Sequence, residues 1–219
     1  MMGLLTDWAH QLPTLLDGLR ISLELTLFSL LISLPLSLLF ALLVMSGRPA
    51  ARIPALAMVE LGRGIPALVM LQLAYFGLPQ VKLDLESFAA AAVSLGFVSG
   101  SYMSEIVRAG LRAVPMGQVE AARATGLNRL DEYRFIVLPQ GLRIALPPLL
   151  NFAIVLFQAT SLAFAVAVPE LLSKAYAVGS ETFGYLEVLS LAGIIYAAIV
   201  IPAATGVRAL ERRMARSLA

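Results

Sequence analysis

Glu120, Ala121, Ala122, Gly126, Ile136, Leu138 and Pro139 stand in a fixed spacing: E-A-A, three residues, G, nine residues, I, one residue, L-P. They lie in a polar, arginine-bearing stretch between two long apolar runs. The chemistry on offer there is recognition. Glu120 presents a carboxylate that a partner's guanidinium can grip through paired N–H donors, and the alanines let another surface approach closely. The residues after Pro115, M-G-Q-V-E-A-A-R-A-T-G, read as a short helix that Gly126 ends in a left-handed cap. Asn128 is placed to cap a second helix, and Pro139 begins the return to the apolar run. Two short helices joined at a glycine make a compact knob that can dock in a groove and pass force as a near-rigid lever. The same composition also fits an amphipathic helix lying on a membrane surface.

No catalytic residue and no metal site are expected. The chain has no cysteine, and its single histidine, His10, cannot hold a metal alone. No phosphate-cradling G-x-x-x-x-G-K-[ST] loop occurs, and no paired carboxylates or nucleophile–base set stand out. If ATP drives this protein, another subunit binds it.

The elements that must hold the knob are membrane spans. The 219 residues are 59% hydrophobic and 14% charged, with mean hydropathy +0.86, far from the roughly 25% charged residues of a soluble domain. About 20 apolar residues cross a hydrocarbon core about 30 Å thick. Uncharged windows of that order fall at 25–45, 64–81, 87–104, 144–169 and 188–207. They predict an all-α integral membrane protein with five helices near 18–46, 53–78, 86–112, 143–168 and 186–212. A tight hairpin near Pro79 joins the second and third. The amino terminus lacks a basic segment ahead of its first apolar run, which argues against a cleaved signal.

Short cytoplasmic loops collect Lys and Arg. Arg48 and Arg52 fall between spans one and two, and Arg108, Arg112, Arg123, Arg129, Arg134 and Arg143 between three and four. Arg208, Arg212, Arg213 and Arg216 lie in the tail. The other side holds Arg20, Lys82 and Lys174, with Arg63 in or near span two. The expectation is an outside amino terminus, an inside carboxy terminus and a cytoplasmic knob.

Polar residues at membrane depth mark either a solute route or interhelical packing. Gly62, Gly64 and Pro66 interrupt span two; a broken helix there would expose backbone N–H groups to a substrate carboxylate, whereas a packing kink would not. Arg63 sits one turn from Glu60, so the two are a candidate ion pair or gate. Asn151, Gln158, Thr160 and Ser161 give span four a candidate polar face, with Gly64 and Pro66 completing the candidate pathway. Glu105 and Arg108 are expected to pair. Glu24, Trp8, Tyr102 and Tyr185 read as interfacial residues.

The spacing at 120–139 resembles the cytoplasmic loop of ATP-binding-cassette (ABC) import permeases. Four further stretches, R-G-I-P-A-L-V-M-L-Q-L-A-Y-F-G-L-P (63–79), S-Y-M-S-E-I-V-R-A-G-L-R-A-V-P-M-G-Q (101–118), L-P-Q-G-L-R-I-A-L-P-P (138–148) and T-S-L-A-F-A-V-A-V-P-E-L-L (160–172), are similar to its polar amino acid uptake branch. That branch includes histidine, arginine, glutamine and glutamate permeases. The resemblance covers nearly the whole chain and implies a type I importer permease fold. It implies a single domain, 1–219, with a coupling loop at about 113–142, in a bacterial cytoplasmic membrane. The implied partners are ABC ATPase subunits that bind ATP and Mg, a second permease, an extracytoplasmic solute-binding protein and membrane lipid. No cofactor in this chain and no nucleic-acid partner are implied. Glu120 and its neighbours would insert into a groove of the ATPase.

One departure matters. The family commonly carries K-D-T-S-L where this chain has Q-A-T-S-L at 158–162, so Ala159 replaces an acid suited to a substrate's amino group. This favours a heterodimer in which the other permease holds the main site, with a homodimer as the alternative. Opines and compatible solutes such as ectoines travel through similar permeases. A scaffold-like half that binds no solute, and a channel or secondary transporter without an ATPase, are the competing readings.

Overall fold

The computed structural model describes residues 2–216, with side chains from 8 to 214, so the side chains of Asp7 and Arg216 lie outside the described residues. Among the described residues every regular element is helical. Spans one, three and five are α1 (Met2–Met45), α4 (Ser87–Arg112) and α9 (Tyr185–Arg216), and span four centres on α7 (Leu138–Ala159). Span two is made of two pieces, α2 (Pro49–Gly64) and α3 (Ala67–Gln72). α3 continues through a π turn at Leu73–Gly77 and a 3₁₀ turn at Leu78–Val81. Among the described residues four helices are long and apolar enough to cross a bilayer unaided, and the bent pair, taken as one span, is the fifth.

α4 is the centre of the bundle because its small residues let neighbours come close. Apolar attraction between helices vanishes in lipid, so packing falls to Gly, Ala and Ser. A methyl group on Gly96 would stand 2.8 Å from the Ile32 side chain, and one on Gly100 would stand 3.1 Å from Leu36. The facing stripe of α1 is Ser29, Ser33 and Ser37, all buried. Ser33 and Ser37 donate to carbonyls of their own helix at Leu30 (3.4 Å) and Leu34 (2.8 Å), which spares them an unmet donor in an apolar interface.

Four expected boundaries change. α1 begins at Met2, well ahead of residue 18, since a helix need not stop where the lipid does. Span two bends by 104° where a single helix over 53–78 was expected. Span four starts before residue 143: α6 (Arg129–Asp131) passes through a π turn at Glu132–Val137 into α7. That turn widens the helix just before Pro139, whose ring would otherwise press on the carbonyl four residues back. Span four then ends in a 3₁₀ turn at Thr160–Val166.

The fourth change is a helix no apolar window announced, α8 (Leu171–Thr182). Its start is held by Glu170, whose carboxylate accepts from the Leu172 and Ser173 amides at 2.9 and 2.8 Å. The same buried carboxylate accepts from Tyr196 of α9 at 3.2 Å and Ser22 of α1 at 3.4 Å. Three elements are thereby tied at one acid.

Candidate functional site

The knob is built from local rules. α5 (Met116–Ala124) ends at Thr125, and Gly126 takes φ +83°, a left-handed turn that costs glycine little. The Leu127 amide donates to the Ala122 carbonyl at 3.2 Å and the Gly126 amide to the Arg123 carbonyl at 3.0 Å. Those two bonds are the glycine-closed helix end expected from the sequence. Asn128 then caps α6, its side-chain oxygen accepting from the Leu130 and Asp131 amides at 2.9 and 3.0 Å.

Across this turn Arg123 grips Glu132 with two bonds, Nε to Oε2 at 2.7 Å and a terminal nitrogen to Oε1 at 3.2 Å. The pair holds α5 against the π turn. The hydrogen bond from Arg123 keeps the Glu132 carboxyl below its ordinary 4.5, against a burial effect of opposite sign. Sequence reading passed over Glu132; a charge-opposed pair nine residues apart is visible only once the glycine turn brings its ends together.

The seven motif positions divide by role. Glu120, Ala121, Gly126 and Pro139 are exposed, and a methyl group on Gly126 would meet nothing within 4 Å. Ala122 is buried, and Ile136 and Leu138 are half-buried. Leu138 and Val119 pack on a cluster of Ala41, Val107, Leu111, Val114 and Val137, which seats the knob on the ends of α1, α4 and α7. Below it α4 and α7 nearly touch: a methyl group on Gly110 would lie 2.5 Å from the Gly141 carbonyl oxygen. The knob thus presents its carboxylate outward and its apolar side to three helix ends.

The expected pathway residues fall into two groups. At the break in span two, Gly64 and Pro66 are exposed, and Pro66 starts α3 with its carbonyl accepting from Met70 at 3.1 Å. α3 packs on the 3₁₀ turn that begins at Thr160, which brings the break beside the end of span four. There Asn151 and Gln158 are exposed, Ser161 is half-buried and donates to the Gln158 carbonyl at 2.9 Å. Thr160 is fully buried and donates to the Phe157 carbonyl at 2.7 Å, so it faces the interior and not an open route. Ala159 packs against the core of Leu25, Leu71, Leu156 and Ala163.

Arg63 lies at the last turn of α2. Its guanidinium is 3.4 Å from Glu60 and 3.9 Å from Glu105 of α4, and stands 5.8 Å over the Tyr102 ring. Glu105 also pairs with Arg108. Tyr102 donates to the Arg63 carbonyl at 3.1 Å and stacks on Phe152 of α7 at 5.7 Å. Nothing local in the sequence marks that contact.

A family model described as binding-protein-dependent transport system inner membrane component matches residues 25–216. The chain is 36% identical over 203 residues to the probable amino-acid ABC transporter permease protein YckA of Bacillus subtilis (strain 168), covering 93% of this chain and 90% of that one. It is 34% identical to the arginine transport system permease protein ArtQ of the same strain, covering 93% and 94%. It is 33% identical to the glutamine transport system permease protein GlnP of Escherichia coli (strain K12), covering 95% and 97%. Among solved structures, an amino acid ABC transporter with histidines superposes with a TM-score of 0.89 at 31% identity, over 95% of this chain and 97% of that one. The MetNI methionine ABC transporter, at 24% identity and a TM-score of 0.68 over 90% and 95%, shares the fold.

Proposed function

The chain belongs to the binding-protein-dependent transport system inner membrane components, and from that premise we propose that it carries a polar amino acid or related small solute inward. It is a membrane-embedded permease subunit of an ABC importer and not an enzyme; hydrolysis of ATP falls to a separate ATPase subunit, and a solute-binding protein delivers the cargo.

The knob supports a coupling role for Glu120, Ala121, Ala122, Gly126, Ile136, Leu138 and Pro139. Its exposed carboxylate stands on a helix braced by Arg123 and Glu132 and seated on three span ends. A push on α5 therefore reaches α1, α4 and α7 without being lost in a loose loop. The arginine distribution supports a cytoplasmic knob and an outside amino terminus, and the bacterial amino-acid permeases that the chain resembles support a bacterial inner membrane as the setting. ATP and Mg bind the ATPase. Its closure draws two such knobs together and opens the route outward; Gly64, Pro66, Asn151, Gln158 and Ser161 are the groups that line this subunit's side of the route, while the main binding site lies in the partner permease.

Ala159 carries the finer reading, a heterodimer. A small apolar side chain, half-buried against the core, leaves this subunit without an acid for a substrate's amino group, so the second, different permease supplies it. Purifying the tagged chain from native membranes in mild detergent, with mass spectrometry of the co-eluting proteins, tests both levels. An ATPase plus a different permease is the expected result. An ATPase with this permease alone overturns the heterodimer, and no ATPase even after crosslinking overturns the importer.

A further inference from the structure

The break in span two leaves a specific debt that α4 settles. Because α2 stops at Gly64, the Arg63 carbonyl has no amide one turn ahead to accept from and needs another donor. Tyr102 of α4 takes it at 3.1 Å. One turn further along α4, Glu105 faces the guanidinium of the same arginine at 3.9 Å. α4 therefore holds Arg63 at both ends, main chain and side chain. Residues 113–115 alone separate the end of α4 from α5, the knob's first helix.

The side chains around this clamp are not sealed. Glu60 and Tyr102 are exposed and Arg63 is 36% exposed, which no lipid-facing surface tolerates for charges; this face meets water or a partner subunit. Glu105 is shared: Arg108, on its own helix, binds its other oxygen. A carboxylate with two cationic partners on different helices can favour one over the other when the helices shift by small amounts.

We propose that Tyr102 and Glu105 are positioning residues that link movement of the knob to the break in span two. The clamp on Arg63 holds the break bent; displacement of α4 by the knob loosens Glu105 from Arg63 toward Arg108 and frees α3 to move. The inference rests on the reading of this chain as an ATP-coupled permease.

The test uses the complete complex purified from native membranes and reconstituted in nanodiscs. The chain has no cysteine, and a methyl group at Gly64 would meet nothing within 4 Å, so Gly64→Cys reports the break through its reactivity toward a charged methanethiosulfonate. Modification is quantified on this chain by mass spectrometry, with and without ATP and vanadate, alongside the ATPase rate. In the Gly64→Cys background, ATP is expected to change the modification rate. Adding Tyr102→Phe, which keeps the ring stack on Phe152 and loses only the hydroxyl, or Glu105→Gln, which loses the charge facing Arg63, shrinks that change by about threefold to tenfold, the effect of losing one neutral hydrogen bond or one ion pair. Hydrolysis of ATP persists, and Glu105→Asp restores the response. The proposal is overturned if ATP leaves the Gly64→Cys rate unchanged in a hydrolysing complex, if either variant responds as fully as the background, or if hydrolysis and response fall together. A complex that contains no ATPase overturns the importer reading itself, and this inference with it.

Discussion

Arg123 and Glu132 close a two-point pair across a glycine turn, at 2.7 and 3.2 Å, and so make one body of two short helices. Arg123→Ala removes both bonds and leaves a nearly buried carboxylate without its partner. The expected outcome is a knob that still forms α5 but no longer transmits: transport falls severalfold while the chain still reaches the membrane. Arg123→Lys, a point charge that cannot make the two-point contact, falls between. Uptake in cells, normalised to the chain's abundance in membranes, measures it.

The same pair sets a pH response. The Glu132 carboxyl is lowered from 4.5 in the folded knob by the bond from Arg123. A lowered carboxylate contributes stability that is fully present above its unfolded value and is lost as pH falls through the folded value. Amide protection factors across 116–137, which remove the intrinsic pH dependence of exchange, are therefore expected to stay high from neutral pH down to about 4.5 and to fall below it. Glu132→Gln should be less protected throughout, with protection factors flat across that window. A wild-type profile with no acid transition would contradict the pair's role.

Gly126 is held by conformation and not by space. Its φ is +83° and nothing lies within 4 Å of a Cβ there. Gly126→Ala is expected to cost about 1–2 kcal/mol from left-handed strain alone, Gly126→Val more, and Gly126→Asn less, since asparagine tolerates that region. Thermal unfolding of the detergent-solubilised chain should rank the three in that order. A ranking by side-chain volume would point to a hidden contact.

These features were unequally legible in the sequence. Gly126, Asn128 and the five apolar runs are local signals; the glycine turn and the cap land where the spacing put them, and each apolar run is helical although three of the five have other bounds than expected. The interruption at Gly64 and Pro66 was visible, but not that it would turn the chain through 104°, because the turn depends on α4 and the 160–166 turn receiving the displaced α3. α8 has too few residues to register as a span; its signals were Glu170 as a cap and apolar Leu171, Ala175 and Val178 at helical spacing. Tyr102 to Arg63 spans 39 residues, and Glu170 reaches Ser22 across 148. No periodicity within one helix reports such partners.

Gly62 and Gly64 stand two residues apart and are expected to behave oppositely. A methyl group on Gly62 would lie 2.1 Å from the Ser101 hydroxyl oxygen and 2.7 Å from its Cβ, so α2 and α4 would have to separate. Gly62→Ala should cost about 1–3 kcal/mol of thermal stability, the usual penalty of overpacking, and Ser101→Gly should recover much of it. Gly64→Ala should leave the melting temperature nearly unchanged. Equal effects of the two alanines would mean that α2 is not seated on α4 as described.

Ala159 decides where the solute's amino group is met. Restoring the acid in Ala159→Asp places a carboxylate against Leu71, Leu156 and Ala163, where an unpaired charge is strongly unfavourable. If the partner permease holds the binding acid, Ala159→Asp lowers stability and leaves the apparent KM for uptake unchanged, and Gln158→Ala also leaves KM unchanged. If instead this subunit meets the solute, Gln158→Ala raises KM, because Gln158 is the exposed polar group nearest in sequence to the substituted position. The first pattern is expected. KM is the deciding quantity, since a purely structural defect reduces the number of working transporters and so lowers the maximal rate without moving the concentration at which uptake is half-maximal.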